Sequence, residues 1–334
     1  MKKKVLILDN GFKKYKPHLI DAFENNKKIE IKTIYNFDNK DEFSFIEKIF
    51  LKVRFPLDSS NFNKRIIQSV YEFKPDIVII IKGNNVYPST LKKIKAKFKK
   101  VIILSWTADN MIKKHNSSWF FEKSISLYDV HFTTKSNIIN KLVKLGAKKV
   151  IFLNKAYSKY HHFPEEFNKI YDFEVLFVGS AEIDRYNSMK YIADNGINVN
   201  IYGNMWDKKY KSSTNLKINR KALLGKSYRE AISSSKITLC FLRKINDDLQ
   251  TDRTMEIPAC KGFMLAERTN EHLNLFKENE EAAYFESNEE LLQKVRFYLS
   301  NPNKIDKIKN NGYERAVSSG YSFDDMAKEI LNNI

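Results

Sequence analysis

The chain has little of what marks several large protein classes. Its 334 residues include only two cysteines, Cys240 and Cys260, both in predicted core elements. That count excludes a disulfide scaffold and a Cys-based metal site, and it points to a reducing compartment. His115, His131, His161 and His162 show no metal-ligand spacing. No apolar run approaches the roughly 20 residues that span a bilayer. The opening Met1-Lys2-Lys3-Lys4 runs into Val5-Leu6-Ile7-Leu8-Asp9, too short an apolar stretch for a secretory leader and without a small-residue cleavage site. It predicts a first strand in a cytoplasmic protein.

Acid is also scarce: 40 Asp and Glu face 58 Lys and Arg, a net charge of +18. Such an excess suits nucleic acid, an anionic membrane or a polyanionic substrate. The lysines are scattered, however, as in Lys27-Lys28, Lys92-Lys93, Lys113-Lys114 and Lys208-Lys209. With an Asn- and Ile-rich composition, the first reading is the bias of an AT-rich genome. Peripheral attraction to an anionic membrane face comes second. Nucleic acid is not expected as a partner, because no RNP motif, zinc-finger spacing or helix-turn-helix signature occurs.

What the chain does have is apolar residue, 43 % of the total with 13 % aromatic, enough for two cores at this length. Short β-branched runs alternate with helical patterns almost throughout, which predicts parallel α/β sheets. In the first half, strands are expected at 5–9, 29–35, 76–82, 101–105, 129–133 and 150–153. Helices are expected at 62–73, 88–97, 117–126 and 135–145, with an unassigned aromatic-rich stretch up to Asp58. In the second half, strands are expected at 174–178, 199–202, 237–242, 262–266 and 282–285. Helices fall at 185–194, 227–233, 252–260, 270–276, 288–299, 302–318 and 323–331. The fold class is therefore α/β, two doubly wound Rossmann-like domains facing a cleft, whose ligands bind at the carboxyl ends of strands. The expected boundaries are 1–155, a His- and Pro-containing linker at 156–172, a second domain at 173–320, and a closing helix at 321–334.

The most informative stretch runs from Asp248 to Ala266. A strand ends near Leu242, a polar loop follows, and a helix opens near Thr251 or Asp252, either of which can cap it. Arg253 then sits in the first turn beside free N–H groups and the positive end of the helix dipole, a combination suited to a diphosphate. Glu256 lies three residues on, on the same face, where a carboxylate can accept from a ribose diol. A solvated Arg/Glu pair is the plainer alternative. Pro258 breaks the helix rule, as residues at functional or strained sites tend to do.

This stretch resembles the CgeB-like (spore-maturation-type) glycosyltransferases of the wider GT-B group. The resemblance covers about 175–330. It is carried by Arg253, Glu256, Ala259, Gly262, Ala283-Tyr284-Phe285, Glu289-Glu290-Leu291-Leu292, Arg296-Phe297-Tyr298-Leu299, Asn301-Pro302 and Tyr321-Ser322-Phe323, with order and spacing kept. The family's paired glycine is Lys261-Gly262 here. Phe177-Val178-Gly179-Ser180 and Arg185, then Tyr202-Gly203 with Trp206, extend it upstream. The resemblance implies transfer of a sugar from a UDP- or GDP-linked donor to a hydroxyl of a glycan, lipid-linked or protein acceptor, with no metal and no permanently bound cofactor. It implies donor contacts from Gly179, Ser180, Arg185, Gly225, Arg253 and Glu256. Asp248, seven residues ahead of Glu256, matches an acid that lies near the donor sugar in such enzymes. In the first domain, Trp106-Thr107-Ala108-Asp109 resembles an aromatic-plus-Asp segment, so Asp109 is the candidate base for the acceptor hydroxyl. A nucleotide-sugar epimerase on the same fold and a basic polyanion- or nucleic-acid-binding protein are the alternatives.

Overall fold

A computed structural model describes residues 2–13, 16–37 and 42–334. Two compact units divide them, residues 1–154 with 323–334, and 155–322.

The first unit contains strands β1 (Lys3–Phe12), β2 (Ile29–Phe37), β3 (Ile77–Ile81), β4 (Ile102–Thr107), β5 (Val130–Thr133) and β6 (Val150–Phe152). They form one parallel sheet in the order β2-β1-β3-β4-β5-β6. Helices α1 (His18–Glu24), α2 (Phe45–Lys52), α3 (Phe62–Phe73), α4 (Pro88–Lys97), α5 (Trp119–Ser124) and α6 (Ile139–Lys144) connect them. A parallel sheet is covered on both faces, and β3 reads Ile-Val-Ile-Ile-Ile with every residue buried. Leu6, Leu8, Val78, Ile80 and Ile103 on one face pack against Phe62, Ile66 and Val70 of α3 and Leu91 and Ile94 of α4. α2 lies in the stretch left unassigned, whose residues 38–41 fall outside the described set. A capping box opens it: Glu47 N–H donates to Ser44 Oγ, and Ser44 N–H to Glu47 Oε2.

The second unit contains β7 (Val175–Val178), β8 (Val199–Tyr202), β9 (Leu216–Asn219), β10 (Ile237–Cys240), β11 (Met264–Glu267) and β12 (Ala283–Phe285). Their parallel order is β12-β11-β10-β7-β8-β9. The helices are α7 (Ile183–Asp194), α8 (Lys226–Ser234), α9 (Asp252–Ala259), α10 (Asn270–Leu275), α11 (Asn288–Leu299) and α12 (Pro302–Ser318). Pro258 is accommodated near the end of α9 against α12. A Cβ on Gly312 would lie only 2.5 Å from the Glu281 carbonyl, so glycine lets α12 pass close to the backbone ahead of β12, while its distance to Pro258 Cβ, 3.8 Å, is an ordinary contact. Both cysteines are free and buried.

Two segments differ from the sequence expectation. The stretch 156–172 is not a free linker but a packed part of the second unit. Glu165 N–H and Asn168 N–H donate to Ser233 Oγ and Ser234 Oγ of α8, and the Arg229 guanidinium lies 4.0 Å over the Phe163 ring. α13 (Phe323–Asn332) belongs to the first unit rather than standing apart, its Phe323 ring 5.9 Å from His18 on α1. Its hydrophobic face, with Met326, Ala327 and Ile330 buried, accounts for that docking.

Candidate functional site

In the second unit, the carboxyl end of β7 and the start of α9 come together. Gly179 ends β7, and a Cβ built there would lie 2.7 Å from the Phe177 ring and 3.4 Å from the Arg253 guanidinium carbon. Glycine is required for that approach. The loop is fixed from the other side by Trp206, whose buried indole Nε1–H donates to the Gly179 carbonyl at 2.9 Å. Gly203 sits at φ +152, and a Cβ there would meet the same carbonyl at 2.0 Å.

Arg253 stands over the Phe177 ring, 5.9 Å from its centroid, and its buried Nε has no hydrogen-bond partner. Burial works against its charge, but Tyr228, Cys240, Glu256 and Asp252 around it outweigh that and raise its pKa above the ordinary guanidinium value. The α9 start that presents it is held rigidly. Thr251 N–H donates to Thr254 Oγ1 (3.0 Å), which pairs with His272 Nε2 (2.9 Å), while His272 Nδ1 faces the Glu267 carbonyl (2.7 Å). These partners assign the proton of a neutral ring to Nδ1, and burial holds the His272 pKa down to about 4.

Glu256, one turn along α9, accepts from the Tyr228 hydroxyl of α8 at 2.6 Å. Its other oxygen lies 3.6 Å from His162 Nε2. Ser158 N–H donates to His162 Nδ1 at 3.1 Å, which leaves Nε2 as the protonated nitrogen facing Glu256. Burial, followed by the nearby His161, lowers the His162 pKa to about 4, so the ring is neutral at pH 7. Tyr228 and His162 were not legible as site residues. Nothing local distinguishes Tyr228, and the His161-His162 pair reads as linker.

The other expected donor residues fall into different settings. Arg185 is buried, its Nη atoms donating to the carbonyls of Ser180 (3.0 Å) and Leu242 (2.8 Å). It ties the ends of β7 and β10 together beneath the site, and burial lowers its pKa. Ser180 is exposed just beyond Gly179. Gly225 caps α8 at φ +56, with open space where a Cβ would stand. Asp248 stays in its own loop, accepting from Asn246 Nδ2 (2.7 Å) and Arg243 N–H (3.4 Å). In the first unit, Asp109 pairs with Lys82 Nζ at 2.9 Å.

A family model described as glycosyl transferase-like matches residues 185–332. Sucrose-phosphate synthase from Thermosynechococcus elongatus has a similar structure, with TM-score 0.66, 10 % identity, and 99 % of this chain and 98 % of that one covered. The fold is GT-B. A glycosyltransferase from Rickettsia africae superposes at TM-score 0.68 with 10 % identity, over 99 % of this chain and 97 % of the other. HepE from Anabaena, in complex with UDP-glucose, does so at 0.65 with 9 % identity, over 99 % of this chain and all of the other. No curated protein matches the chain by sequence. In a GT-B chain, Arg253, Gly179 and Glu256 lie at the carboxyl edge of the second sheet, where doubly wound sheets bind nucleotides.

Proposed function

We propose that the chain transfers a sugar from a nucleoside diphospho-sugar to an acceptor hydroxyl, and that it is of the CgeB-like type. The observation that carries this reading is Arg253: a half-buried cation, at a helix start, beside a glycine that admits a ligand close to the backbone. A diphosphate satisfies all three features. Glu256 supplies the acceptor oxygens for the ribose diol, with Tyr228 setting its orientation. Arg185 acts through the loops it ties, and Ser180 and Gly225 border the donor through their backbone. Asp248 serves the sugar from its loop.

In the transfer, the acceptor oxygen bonds to the anomeric carbon and gives up its proton. The bond from that carbon to the phosphate oxygen breaks, and the departing diphosphate's charge is met by Arg253 and the α9 N–H groups without a metal. HepE, crystallised with UDP-glucose, makes a UDP-linked donor the first to try. The decisive experiment is calorimetric titration with UDP, GDP and their glucose conjugates. Arg253→Ala is expected to weaken binding about 10- to 100-fold, the loss of a charge-assisted contact. Equal affinity in the wild type and the variant would remove the assignment.

We further propose that the enzyme works in the cytoplasm, peripherally at an anionic membrane face. Among the described residues, no helix is long and apolar enough to cross a membrane. α2, however, turns Phe45 (78 % exposed), Ile46 (60 %) and Ile49 outward, followed by the exposed Val53 at its C-cap, with Lys48 and Lys52 on the same short helix. An apolar face beside lysines on a chain of charge +18 suits an anionic lipid surface.

A further inference from the structure

The carboxylate of Glu256 is approached from two sides, and one helix governs both. On one side Tyr228 of α8 donates to Oε2 at 2.6 Å. On the other, His162 Nε2 stands 3.6 Å from Oε1. His162 comes from the segment 156–172, and α8 holds that segment through the residue next to Tyr228. The Arg229 guanidinium lies 4.0 Å over the Phe163 ring, and its Nε donates to Glu165 Oε1 at 2.7 Å. Glu165 N–H in turn donates to Ser233 Oγ at 3.0 Å.

The imidazole itself has little freedom to turn. His162 N–H donates to the Ser158 carbonyl at 2.7 Å, and Ser158 N–H donates back to His162 Nδ1 at 3.1 Å. In a neutral ring, one nitrogen fixed as acceptor makes the other the donor. Burial keeps the ring neutral at pH 7, with its pKa lowered to about 4. A separation of 3.6 Å is longer than a hydrogen bond. The two side chains are only 8 % and 18 % exposed, however, so water screens the N–H dipole little from the carboxylate.

A carboxylate offers about four lone-pair sites. With one taken by Tyr228 and Oε1 flanked by His162, the remaining sites have a set direction. That spares a ligand the entropy of fixing a glutamate side chain. A ribose diol needs two acceptor sites aligned with its two hydroxyls, whereas a 2′-deoxyribose needs only one.

We propose that His162 is a positioning residue for ribose. With Tyr228 it holds the Glu256 carboxylate so that both hydroxyls of the diol donate to it, and the preference for ribose over 2′-deoxyribose depends on its Nε2–H. The inference rests on the donor reading above, in which Glu256 receives the diol.

Calorimetric titration of the full chain with UDP and GDP, each beside its 2′-deoxy counterpart, tests the role. The wild type is expected to bind the ribose form about tenfold more tightly. His162→Asn sets an amide oxygen near the place of Nδ1, keeps the bond from Ser158 and leaves no donor toward Glu256. Its ratio is expected to fall to about two- to threefold. His162→Gln carries an amide N–H out to the place of Nε2 and is expected to keep most of the ratio. Melting curves establish that both variants are folded. A wild type that binds both forms alike, a ratio unchanged in His162→Asn, or one lost equally in both variants overturns the proposal. A ring that only supports the fold would weaken the ribose and deoxyribose forms together. Binding of neither UDP nor GDP by the wild type is a separate failure: it removes the donor reading, and the role of His162 falls with it.

Discussion

The hydroxyl of Tyr228 donates to Glu256 Oε2 at 2.6 Å, joining α8 to α9 across 28 residues of sequence. The bond sets the direction in which Glu256 presents its remaining lone pairs. Glu256→Gln keeps the length and removes the charge, so it is expected to weaken UDP binding about tenfold with little change in melting temperature. Tyr228→Phe is expected to lower stability by about 1–2 kcal/mol in urea unfolding and to weaken UDP more modestly. UDP binding unaffected by Glu256→Gln would remove the ribose role.

Acid should act on the two units in opposite directions. The Asp9 pKa lies near 6 in the fold against an ordinary 3.8, so its ionisation opposes folding as pH rises from 3.8 through 6. That cost reaches about 3 kcal/mol at pH 7. Asp9→Asn is therefore expected to stabilise the first unit at pH 7, with the gain fading toward pH 4. Urea melts of both proteins across that range check the sign.

His162 and His272 have folded pKa values near 4 against an ordinary 6.5. Here the unfolded chain takes up the proton first. The second unit is expected to lose stability as pH falls from 6.5 to 4, by about 3 kcal/mol for each histidine at the lower limit. His162→Gln should flatten part of that loss. An unchanged acid limb would show that the ring is not buried neutral.

Gly203→Ala places a methyl group 2.0 Å from the Gly179 carbonyl at a backbone φ of +152. The β7 loop must move. A loss of roughly 1–3 kcal/mol is expected, together with weaker UDP binding, because the displaced carbonyl leaves Trp206 and shifts the ground beneath Arg253. Hydrogen exchange at Gly179 and Ser180 would show the loop opening.

The outward face of α2 makes the membrane proposal testable. Phe45→Glu with Ile49→Glu is expected to reduce sedimentation with vesicles containing phosphatidylglycerol severalfold without lowering the melting temperature, since both side chains are exposed. Retained sedimentation would move the contact elsewhere.

Much of the architecture was legible because each element carries a local signal. The five apolar residues of β3 and the 3.6-residue pattern of α3, α11 and α12 predicted those elements within a residue or so. β9 was missed: Leu216-Lys217-Ile218-Asn219 is a short strand at the sheet's edge, with alternating burial and no long apolar run. α2 was missed although Ser44 and Glu47 spell a capping box, because it is only eight residues long and lies in an aromatic-rich stretch, and its apolar Phe45, Ile46 and Ile49 turn outward instead of joining a core.

The sequence by itself determined two parallel α/β sheets and a helix start carrying Arg253 and Glu256, since both follow from residue types a few positions apart. Tertiary structure decided which groups have partners. It gave Arg185 to two backbone carbonyls, Asp109 to Lys82 and Glu256 to Tyr228, and it left Asp9 Oδ2 and Arg253 Nε buried without one. The reason is physical. Hydrogen bonds and desolvation depend on what the fold brings within about 3 Å, and most of these partners come from distant parts of the chain.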